Sequence, residues 1–454
     1  MRARSAKAIV GAITAIGLLL TASGCGSTAQ SDGDAQPKSD IRFYGSDGNM
    51  ANSFGEALKD SPAVLAGMKG TTPLTPLSED FKRRVKSIDS SLADFNYAGE
   101  AYDAVVVAAL AAEAGKSVES SSIAKQLIGV TTGDNVCDTV AACLTAARSG
   151  KDFKYRGISL RRSGFTDAGE PSSAMYGVLN FGRNNTIDEA KTEFVGAGDE
   201  KNENKTAPPP ASGGNKGGGK GPALKFGLLL PKTGALAFQG PPMFAAAKLA
   251  IKEINEAGGV LGQPVVVEEG DDGTNPDVAK TAVEKFINSG VHVIIGAGAS
   301  GVSKAVIPRV VQAGKVMISP SATSDELTKF DDKGLFFRTS PPDMLQAKAI
   351  ANIIMRDGHT KVAIVARDDT YGSGLAEGVR NDLTAAGIKA NNMLILKYEA
   401  KDNYDPKADA TKLFAPIAGQ IKSFEATAIL LVGFDESALV IKALVAAGIK
   451  EPSA

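Results

Sequence analysis

Between residues 224 and 447, short apolar runs alternate regularly with helix-length segments, and this pattern limits the fold more strongly than composition does. Strands that alternate with helices in this way predict parallel, doubly wound sheets. The run of alternating units is too long for one sheet, so the sequence predicts an α/β fold with two similar lobes. The predicted strands are 224–230, 264–269, 292–295, 316–319, 362–365, 393–396 and 428–432, and the predicted helices are 241–258, 276–289, 303–312, 344–356, 374–386, 408–423 and 436–447.

A stretch rich in Pro, Gly and Lys occupies residues 199–222. Its composition predicts a solvated linker between two folded segments, 41–198 and 223–454. Within it, Gly214, Gly219 and Lys220 have the spacing of a phosphate-binding loop. That interpretation is disfavoured, because Gly221 stands where the loop needs Ser or Thr and no strand precedes it.

The N-terminus has the pattern of an export signal. Basic residues in 1–7 precede an uncharged apolar run at 8–20, which is too short to span a bilayer comfortably. The small residues before Cys25 resemble a bacterial lipobox, although Ala22 replaces the usual Leu. We therefore expect a lipoprotein signal peptide at 1–24, acylation of Cys25, a flexible tether at 25–40, and an extracytoplasmic protein anchored to the cell membrane. The alternative is an ordinary signal peptide cut near Gly24.

Composition disfavours several classes of function. The net charge is -1 over 454 residues, which gives no electrostatic basis for nucleic acid as a partner. Only two histidines are present, and no residues show metal-ligand spacing, so we expect no metal site. Cys137 and Cys143 form a close pair, which in an exported protein favours a small-loop disulfide; the alternative is two reduced core thiols.

Several motifs spread over the second half of the chain point to one family. They are residues 233–237, 255–260, 271–272, 296–300, 319–323 and 371–372. With these motifs, residues 223–454 resemble the N-terminal two-thirds of type I periplasmic solute-binding proteins of the branched-chain amino acid class. The resemblance implies two lobes joined by a hinge, which close around a small solute without catalysing a reaction.

The remaining third of that family fold has its counterpart earlier in the chain. Residues 42–48 resemble the family's next strand and ligand loop, 95–109 a later helix, and 155–158 with 164–169 the closing hairpin region. The order is rotated, which predicts a circularly permuted chain in which 41–198 supplies the C-terminal third. A linker of about two dozen residues reaches about 25–30 Å and can bridge the old ends. The alternative is a fusion of two incomplete fragments, which would leave sheet edges exposed.

The resemblance also implies groups that bind the two charged ends of an amino acid. Ser300, ahead of predicted helix 303–312, matches a family donor to the ligand carboxylate, and Ala322 with Thr323 matches the second donor loop. Asp47 matches the acidic partner of the ligand ammonium, as Asp in place of Glu. The alternatives are that the hydroxyls are loop caps and that Asp47 is a turn residue.

The resemblance also implies aromatic positions in this site. Tyr371 and Phe434 match aromatic residues on the opposing lobe, although hinge packing is an alternative for Phe434. Gln239, next to Phe238, stands where some members of the family place a ring over the ligand.

Three classes of function were compared. The leading hypothesis is the solute-binding protein of an ABC importer, a monomer whose partners are an amino acid-like ligand, a permease and, through its lipid, the membrane. The alternative is an extracellular sensing module without a transport role. An enzyme is disfavoured because no acid–base pair or nucleophile motif is present. Residues 296–301 fit a dinucleotide-binding spacing, but Ser319 and Pro320 occupy the region where an acid is needed, so no cofactor is expected.

Overall fold

The computed structural model describes residues 41–208, 210–211 and 222–449. The predicted signal peptide, Cys25 and the tether lie outside the described residues, as does the Gly- and Lys-rich stretch 212–221. The described residues belong to one compact unit, Ser39–Ala454. Within them, no helix combines the length and the apolar character that crossing a bilayer requires.

The secondary structure alternates along most of the chain. The strands are β1 Arg42–Gly45, β2 Lys69–Pro73, β3 Val136–Cys137, β4 Lys154–Tyr155, β5 Ser173–Asn180, β6 Glu193–Gly198, β7 Lys225–Leu230, β8 Val266–Asp271, β9 Val293–Gly296, β10 Val316–Ser319, β11 Phe336–Arg338, β12 Val362–Asp368, β13 Met393–Glu399 and β14 Ala428–Val432. The α-helices are α1 Asn52–Glu56, α2 Glu79–Lys86, α3 Ala98–Ala114, α4 Ser120–Leu127, α5 Val140–Ser149, α6 Gly240–Glu256, α7 Pro276–Asn288, α8 Ser300–Gln312, α9 Asp343–Arg356, α10 Thr370–Ala385, α11 Ala415–Phe424 and α12 Ser437–Ala446.

Two large sheets form the centres of two lobes. The five-stranded lobe contains parallel strands in the order β11–β10–β9–β7–β8. The seven-stranded lobe has the order β13–β12–β14–β1–β2–β5–β6. The predicted two-lobed α/β fold is therefore confirmed. The seven-stranded sheet differs from prediction in one respect, because β5 runs antiparallel to both of its neighbours, β2 and β6.

The seven-stranded sheet takes its strands from both segments of the chain. β1 pairs in parallel with β14, which places Phe43 beside Ile429 and Tyr44 beside Leu430. Successive side chains of a strand point to opposite faces. Phe43 and its neighbour therefore enter the core on one face, whereas Tyr44 and its neighbour enter the core on the other. The two segments thus share both cores of this lobe.

The five-stranded lobe also needs both segments. Its strands come from residues 225–338, but one face of the sheet is covered by α3 from the earlier segment, which packs against α6. α3 is buried on nearly every side, as its apolar sequence predicts. Side chains of β7 such as Phe226 and Leu228 share a core with Val105 and Leu110 of this helix.

The chain passes between the lobes through short connections. In the described residues these include 74–78, 156–172 and 339–342, while 199–224 leads from β6 to β7. The first residues of the predicted linker are held on the fold. The Glu203 carboxylate accepts a 2.5 Å hydrogen bond from Arg156, and the Asn204 backbone N–H donates to the Phe165 carbonyl at 2.8 Å.

Other differences from the sequence predictions are local. α8 begins at Ser300, three residues earlier than expected, so that Ser300 is its first helical residue. β11 was not predicted, because three residues are too few for a recognisable strand pattern. The antiparallel hairpin of β5 and β6 follows the residues that resembled the family's closing hairpin instead of coinciding with them.

A disulfide joins Cys137 and Cys143, whose Cα atoms are 5.4 Å apart. It links β3 to the first turns of α5, and Cys143 is fully buried in the core of the five-stranded lobe.

Candidate functional site

The predicted ligand residues lie at the carboxyl ends of parallel strands in both lobes. Asp47, Tyr371 and Phe434 follow β1, β12 and β14 of the seven-stranded lobe. Ser300 and Thr323 follow β9 and β10 of the five-stranded lobe. Ligands of doubly wound sheets bind at this edge, where loops and helix N-termini converge.

Asp47 is a buried carboxylate held by two tyrosines. The Tyr371 hydroxyl donates to its Oδ1 at 2.6 Å, and the Tyr97 hydroxyl donates to its Oδ2 at 2.7 Å. Burial raises the pKa of Asp47, although these hydrogen bonds oppose the shift. Within the described part of the chain Asp47 forms no ion pair, so its ionised form would be stabilised by a cationic group of a ligand.

Tyr97 was not identified from the sequence. It precedes α3 with φ 59° and ψ 10°, in the left-handed region that non-glycine residues rarely adopt. This conformation costs about 1–2 kcal/mol, and here it accompanies the hydrogen bond to Asp47. No local sequence pattern distinguishes this tyrosine from an ordinary core residue.

Phe434 supports Tyr371. The two rings are stacked, with centroids 5.5 Å apart and planes 16° apart. The guanidinium carbon of Arg367 lies 4.0 Å from the Phe434 ring centroid, and Arg367 is itself bonded to the Glu436 carboxylate at 2.7 Å. Phe434 is 4% exposed, so packing behind Tyr371 accounts for its position.

Ser300 lies at the positive end of α8. Its Oγ accepts hydrogen bonds from the backbone N–H groups of Thr323 and Ser324, both at 3.2 Å. A serine hydroxyl also carries one proton, which remains a donor. The helix N-terminus favours an anion at this point. The predicted donor loop is thus fixed to the predicted carboxylate-binding serine.

Ala322 is fully used within this loop. Its N–H donates to the Ser319 hydroxyl at 2.9 Å, and its carbonyl accepts from the Ser340 hydroxyl at 3.1 Å and from Arg338 at 3.2 Å. Its contribution to the loop is therefore structural.

Thr323 and Asp343 carry buried polar atoms that lack partners. In the described part of the molecule, the Thr323 hydroxyl and both carboxyl oxygens of Asp343 are buried without a well-formed hydrogen bond, although the neighbouring Thr323 hydroxyl opposes the rise in the pKa of Asp343. The two residues are adjacent, because the Asp343 N–H donates to the Thr323 carbonyl at 2.8 Å. Buried polar groups of folded proteins almost always have partners, so these atoms are available to a bound ligand or water.

Asp343 also joins the two sides of the site. Burial raises its pKa well above the ordinary value, and the negative charge of Asp47 raises it further. Asp343 opens α9 of the seven-stranded lobe and bonds Thr323 of the five-stranded lobe through its N–H, so the two sides of the site are in contact. The sequence did not reveal Asp343, because an acidic residue that opens a helix is usually explained by the helix dipole.

Two more polar side chains near the acids have unpartnered atoms. The Gln346 Oε1 and the Tyr176 hydroxyl are buried without hydrogen bonds among the described residues. Gln346 neighbours Asp47, and both acids raise the pKa of Tyr176, although burial is the main cause of that shift. They extend the buried polar cluster around the two acids, and neither was identified from the sequence.

Gln239 is buried at the start of α6. Its neighbour Phe238 packs against the core cluster that contains Tyr371 and Phe434. Position 239 therefore carries a buried amide, and the aromatic ring near this cluster belongs to Phe238.

The site has the chemistry of a receptor for a zwitterion. Carboxylates lie on one side, and hydroxyl donors at a helix N-terminus lie on the other. The Ser324 hydroxyl also donates to the Thr370 carbonyl at 3.2 Å, which is a contact between the two lobes. Among the described residues, no group of His, Cys, Asp and Glu has the arrangement of a metal site.

Comparison with known proteins identifies the family. A family model described as periplasmic binding protein matches residues 223–453, just over half of the chain. The Leu/Ile/Val-binding protein BraC3 of Rhizobium johnstonii is 36% identical over 168 residues, covering 36% of this chain and 45% of the relative. The Leu/Ile/Val-binding protein homolog 3 of Brucella melitensis is 28% identical over 231 residues, covering 50% of this chain and 59% of the relative.

One similar solved structure is the branched-chain amino acid transporter substrate binding protein of Streptococcus pneumoniae, in complex with isoleucine. It is 26% identical, with a TM-score of 0.42, and the match covers 51% of this chain and 63% of that one. The chain spans about half the length of the curated relatives that it matches. Because the family model covers just over half of the chain and agrees with the two-lobed fold, the chain belongs to the periplasmic binding protein family, as a type I member.

Proposed function

We propose that this protein captures an amino acid or a similar small polar solute between its two lobes, as the solute-binding protein of an ABC importer. The observation that carries the proposal is the contact between the two lobes at the carboxyl ends of their strands, where the Asp343 N–H bonds the Thr323 carbonyl and the Ser324 hydroxyl bonds the Thr370 carbonyl. In this proposal the ammonium group of the ligand binds Asp47, and the carboxylate of the ligand binds the hydroxyls of Ser300 and Thr323. The names of the relatives, Leu/Ile/Val-binding proteins, support this ligand class. The family is one of binding proteins, not of enzymes.

A ligand screen tests this proposal. We expect a set of amino acids, amides and short organic acids to contain at least one compound that raises the melting temperature, since a ligand that binds only the folded state stabilises it. Titration calorimetry then gives its affinity. Binding of carboxylates that lack an ammonium, with no binding of amino acids, would contradict the role of Asp47.

The proposal includes a lipid anchor on Cys25 and a membrane permease as partner, both argued from the export signal and from the family. Replacing Cys25 by Ala should release the protein from the membrane fraction without changing its ligand affinity. Mass spectrometry of the N-terminal peptide checks for the acyl chains. Membrane association that survives the substitution would contradict anchoring at this residue.

We also propose that the chain is a circular permutant of its family. One observation supports this: strands β1, β2, β5 and β6, which lie outside the family match, continue the sheet of β12 to β14. A chain in which 223–449 precedes 41–208 should fold and bind the same ligand with an affinity within about threefold, a difference below 1 kcal/mol. Failure of that chain to fold, while the unaltered chain folds, would overturn the permutation.

A further inference from the structure

Arg338 is an unusually constrained buried cation. It ends β11 and is 1% exposed. Its Nε and Nη2 donate to the same carboxylate oxygen of Glu170, at 2.9 Å and 2.5 Å, and Nη2 also donates to the Thr328 hydroxyl at 2.5 Å. Glu170 is 5% exposed and neutralises the guanidinium within the protein. Removing either partner would leave the other as an uncompensated buried charge.

The remaining nitrogen of Arg338 holds the predicted donor loop, residues 322–324. Nη1 donates to the carbonyls of Ala322 at 3.2 Å and Ser324 at 2.8 Å, the two residues that flank Thr323. The carbonyl of Thr323 accepts from the Asp343 N–H. All three carbonyls of the loop are thus held by the segment 338–343, which contains the connection between β11 and α9.

Glu170 lies in a second chain connection between the lobes, while Arg338 lies next to the connection 339–342. Glu170 belongs to 156–172, and the neighbouring Gly169 carbonyl accepts the Arg338 backbone N–H at 3.0 Å. The Arg338–Glu170 pair therefore ties together two interlobe connections and the loop that presents Thr323. A planar guanidinium can donate in several fixed directions at once, whereas a lysine ammonium offers one compact charge.

We propose that Arg338 and Glu170 are positioning residues for ligand binding. They hold residues 322–324 so that the buried Thr323 hydroxyl stays beside Asp343, and they link the position of that loop to two of the connections between the lobes. This inference rests on the proposed function, because it assigns the pair to the same ligand site. Neither residue touches the ligand.

The first test needs no ligand. In Arg338→Lys, amide hydrogen exchange of Thr323 and Ser324, measured on the full-length protein, should accelerate at least about tenfold, because local opening sets the exchange rate. Exchange within α6 should not change. Glu170→Gln is the second variant and should have the same local effect. Unchanged exchange at the loop in both variants would overturn the proposal, whatever the ligand proves to be.

The second test separates positioning from general stability. L-leucine is the probe, and its dissociation constant is measured by calorimetry for Arg338→Lys, Thr323→Val and the double variant. If Arg338 acts through Thr323, Arg338→Lys weakens leucine binding about tenfold in the natural protein. In a protein that already carries Thr323→Val, the same substitution weakens binding less than about threefold. Equal losses in both backgrounds would mean a merely structural role and would refute the assignment.

The matched control is Arg309→Lys. Arg309 bonds the Glu284 carboxylate through Nε at 2.5 Å and Nη2 at 2.9 Å, but on the exposed side of α8. Arg309→Lys should leave unchanged both the hydrogen exchange of the 322–324 loop and the affinity for leucine. If the unaltered protein gives no heat with leucine, leucine is not its ligand, and the exchange experiment alone then decides the role of the pair.

Discussion

The hydroxyl of Tyr371 donates a 2.6 Å hydrogen bond to Oδ1 of Asp47, although 324 residues separate the two in sequence. Tyr371 opens α10 in the later segment of the chain, and Asp47 follows β1 in the earlier one. The bond thus joins the two segments at the candidate binding site. Because the second oxygen of Asp47 is bonded to Tyr97, the carboxylate is held in one orientation before any ligand arrives.

Replacing Asp47 by Asn should abolish the attraction for a ligand ammonium while keeping the size of the side chain. We expect the affinity for the amino acid found in the screen to fall by about 100-fold, corresponding to about 3 kcal/mol, as for the loss of one partner in a buried charge pair. Calorimetry measures the change. Asp94→Asn is the control, since Asp94 is half-buried and bonded to Asn52; an equal loss in the control would contradict a specific role for Asp47.

Replacing Tyr371 by Phe removes one hydrogen bond to Asp47 and keeps the ring stacked on Phe434. We expect unfolding free energy to fall by about 1.5–3 kcal/mol, the usual contribution of a hydrogen bond to a charged group, and ligand affinity to fall with it. Urea unfolding and calorimetry measure the two effects. Tyr404→Phe removes a hydroxyl that donates to the Glu399 carbonyl and should leave affinity unchanged. Full affinity in Tyr371→Phe would show that the orientation of Asp47 does not depend on this bond.

Asp272 should make the stability of the protein depend on pH. Its carboxylate accepts the backbone N–H groups of Gly298 at 2.7 Å and Thr274 at 2.8 Å, and burial raises its pKa to about 6. The folded state therefore binds this proton more tightly than the unfolded state. The stabilising contribution is complete below the unfolded pKa of about 3.9 and is lost as the pH rises through the folded value.

Between pH 5 and pH 7.5, we expect this group to contribute a loss of about 1 kcal/mol in unfolding free energy. In Asp272→Asn, the unfolding free energy should fall by about 1 kcal/mol less between the same two pH values. Urea unfolding at pH 5 and at pH 7.5 measures the difference. Identical pH dependence in the two proteins would contradict the raised pKa.

Phe43 tests whether the two segments unfold together. Phe43→Ala leaves a cavity beside Ile429 in a core that both segments share, which should cost about 3–5 kcal/mol of unfolding free energy. Fluorescence and circular dichroism should still report one coincident transition at a lower urea concentration. The control is Phe194→Ala in the same sheet, where Phe194 is 41% exposed and the cost should stay below about 1 kcal/mol. Two separate transitions would contradict a jointly built lobe.

Buried parallel strands were the most predictable part of the fold. β7, β9, β10 and β14 were placed within one or two residues, because strands covered on both faces are continuous apolar runs. β11 was not predicted because three residues are too few to show the alternation that marks a strand. The start of α8 was placed too late, since Ser300 and the following Gly301 have weak helix propensity and tertiary packing decides the boundary.

The candidate site was predictable only where a motif carried it. The resemblance to the family drew attention to Asp47, Ser300 and Thr323, and each of them follows a strand end. Tyr97 and Asp343 belong to the same cluster but reach it through contacts between distant parts of the chain, and such contacts have no local signature. The prediction for these three residues stays a prediction until a ligand is measured.

The place of β1 inside the seven-stranded sheet has a consequence for synthesis and export. The Asn49 side chain, just beyond β1, donates to the Phe434 carbonyl, just beyond β14, across 385 residues. β1 therefore leaves the ribosome long before one of its two neighbours exists, with an unpaired edge and apolar side chains exposed. Such distant pairing slows folding and leaves early intermediates prone to aggregation. This lobe therefore cannot be completed from the N-terminus onward and has to wait until β14 has been made.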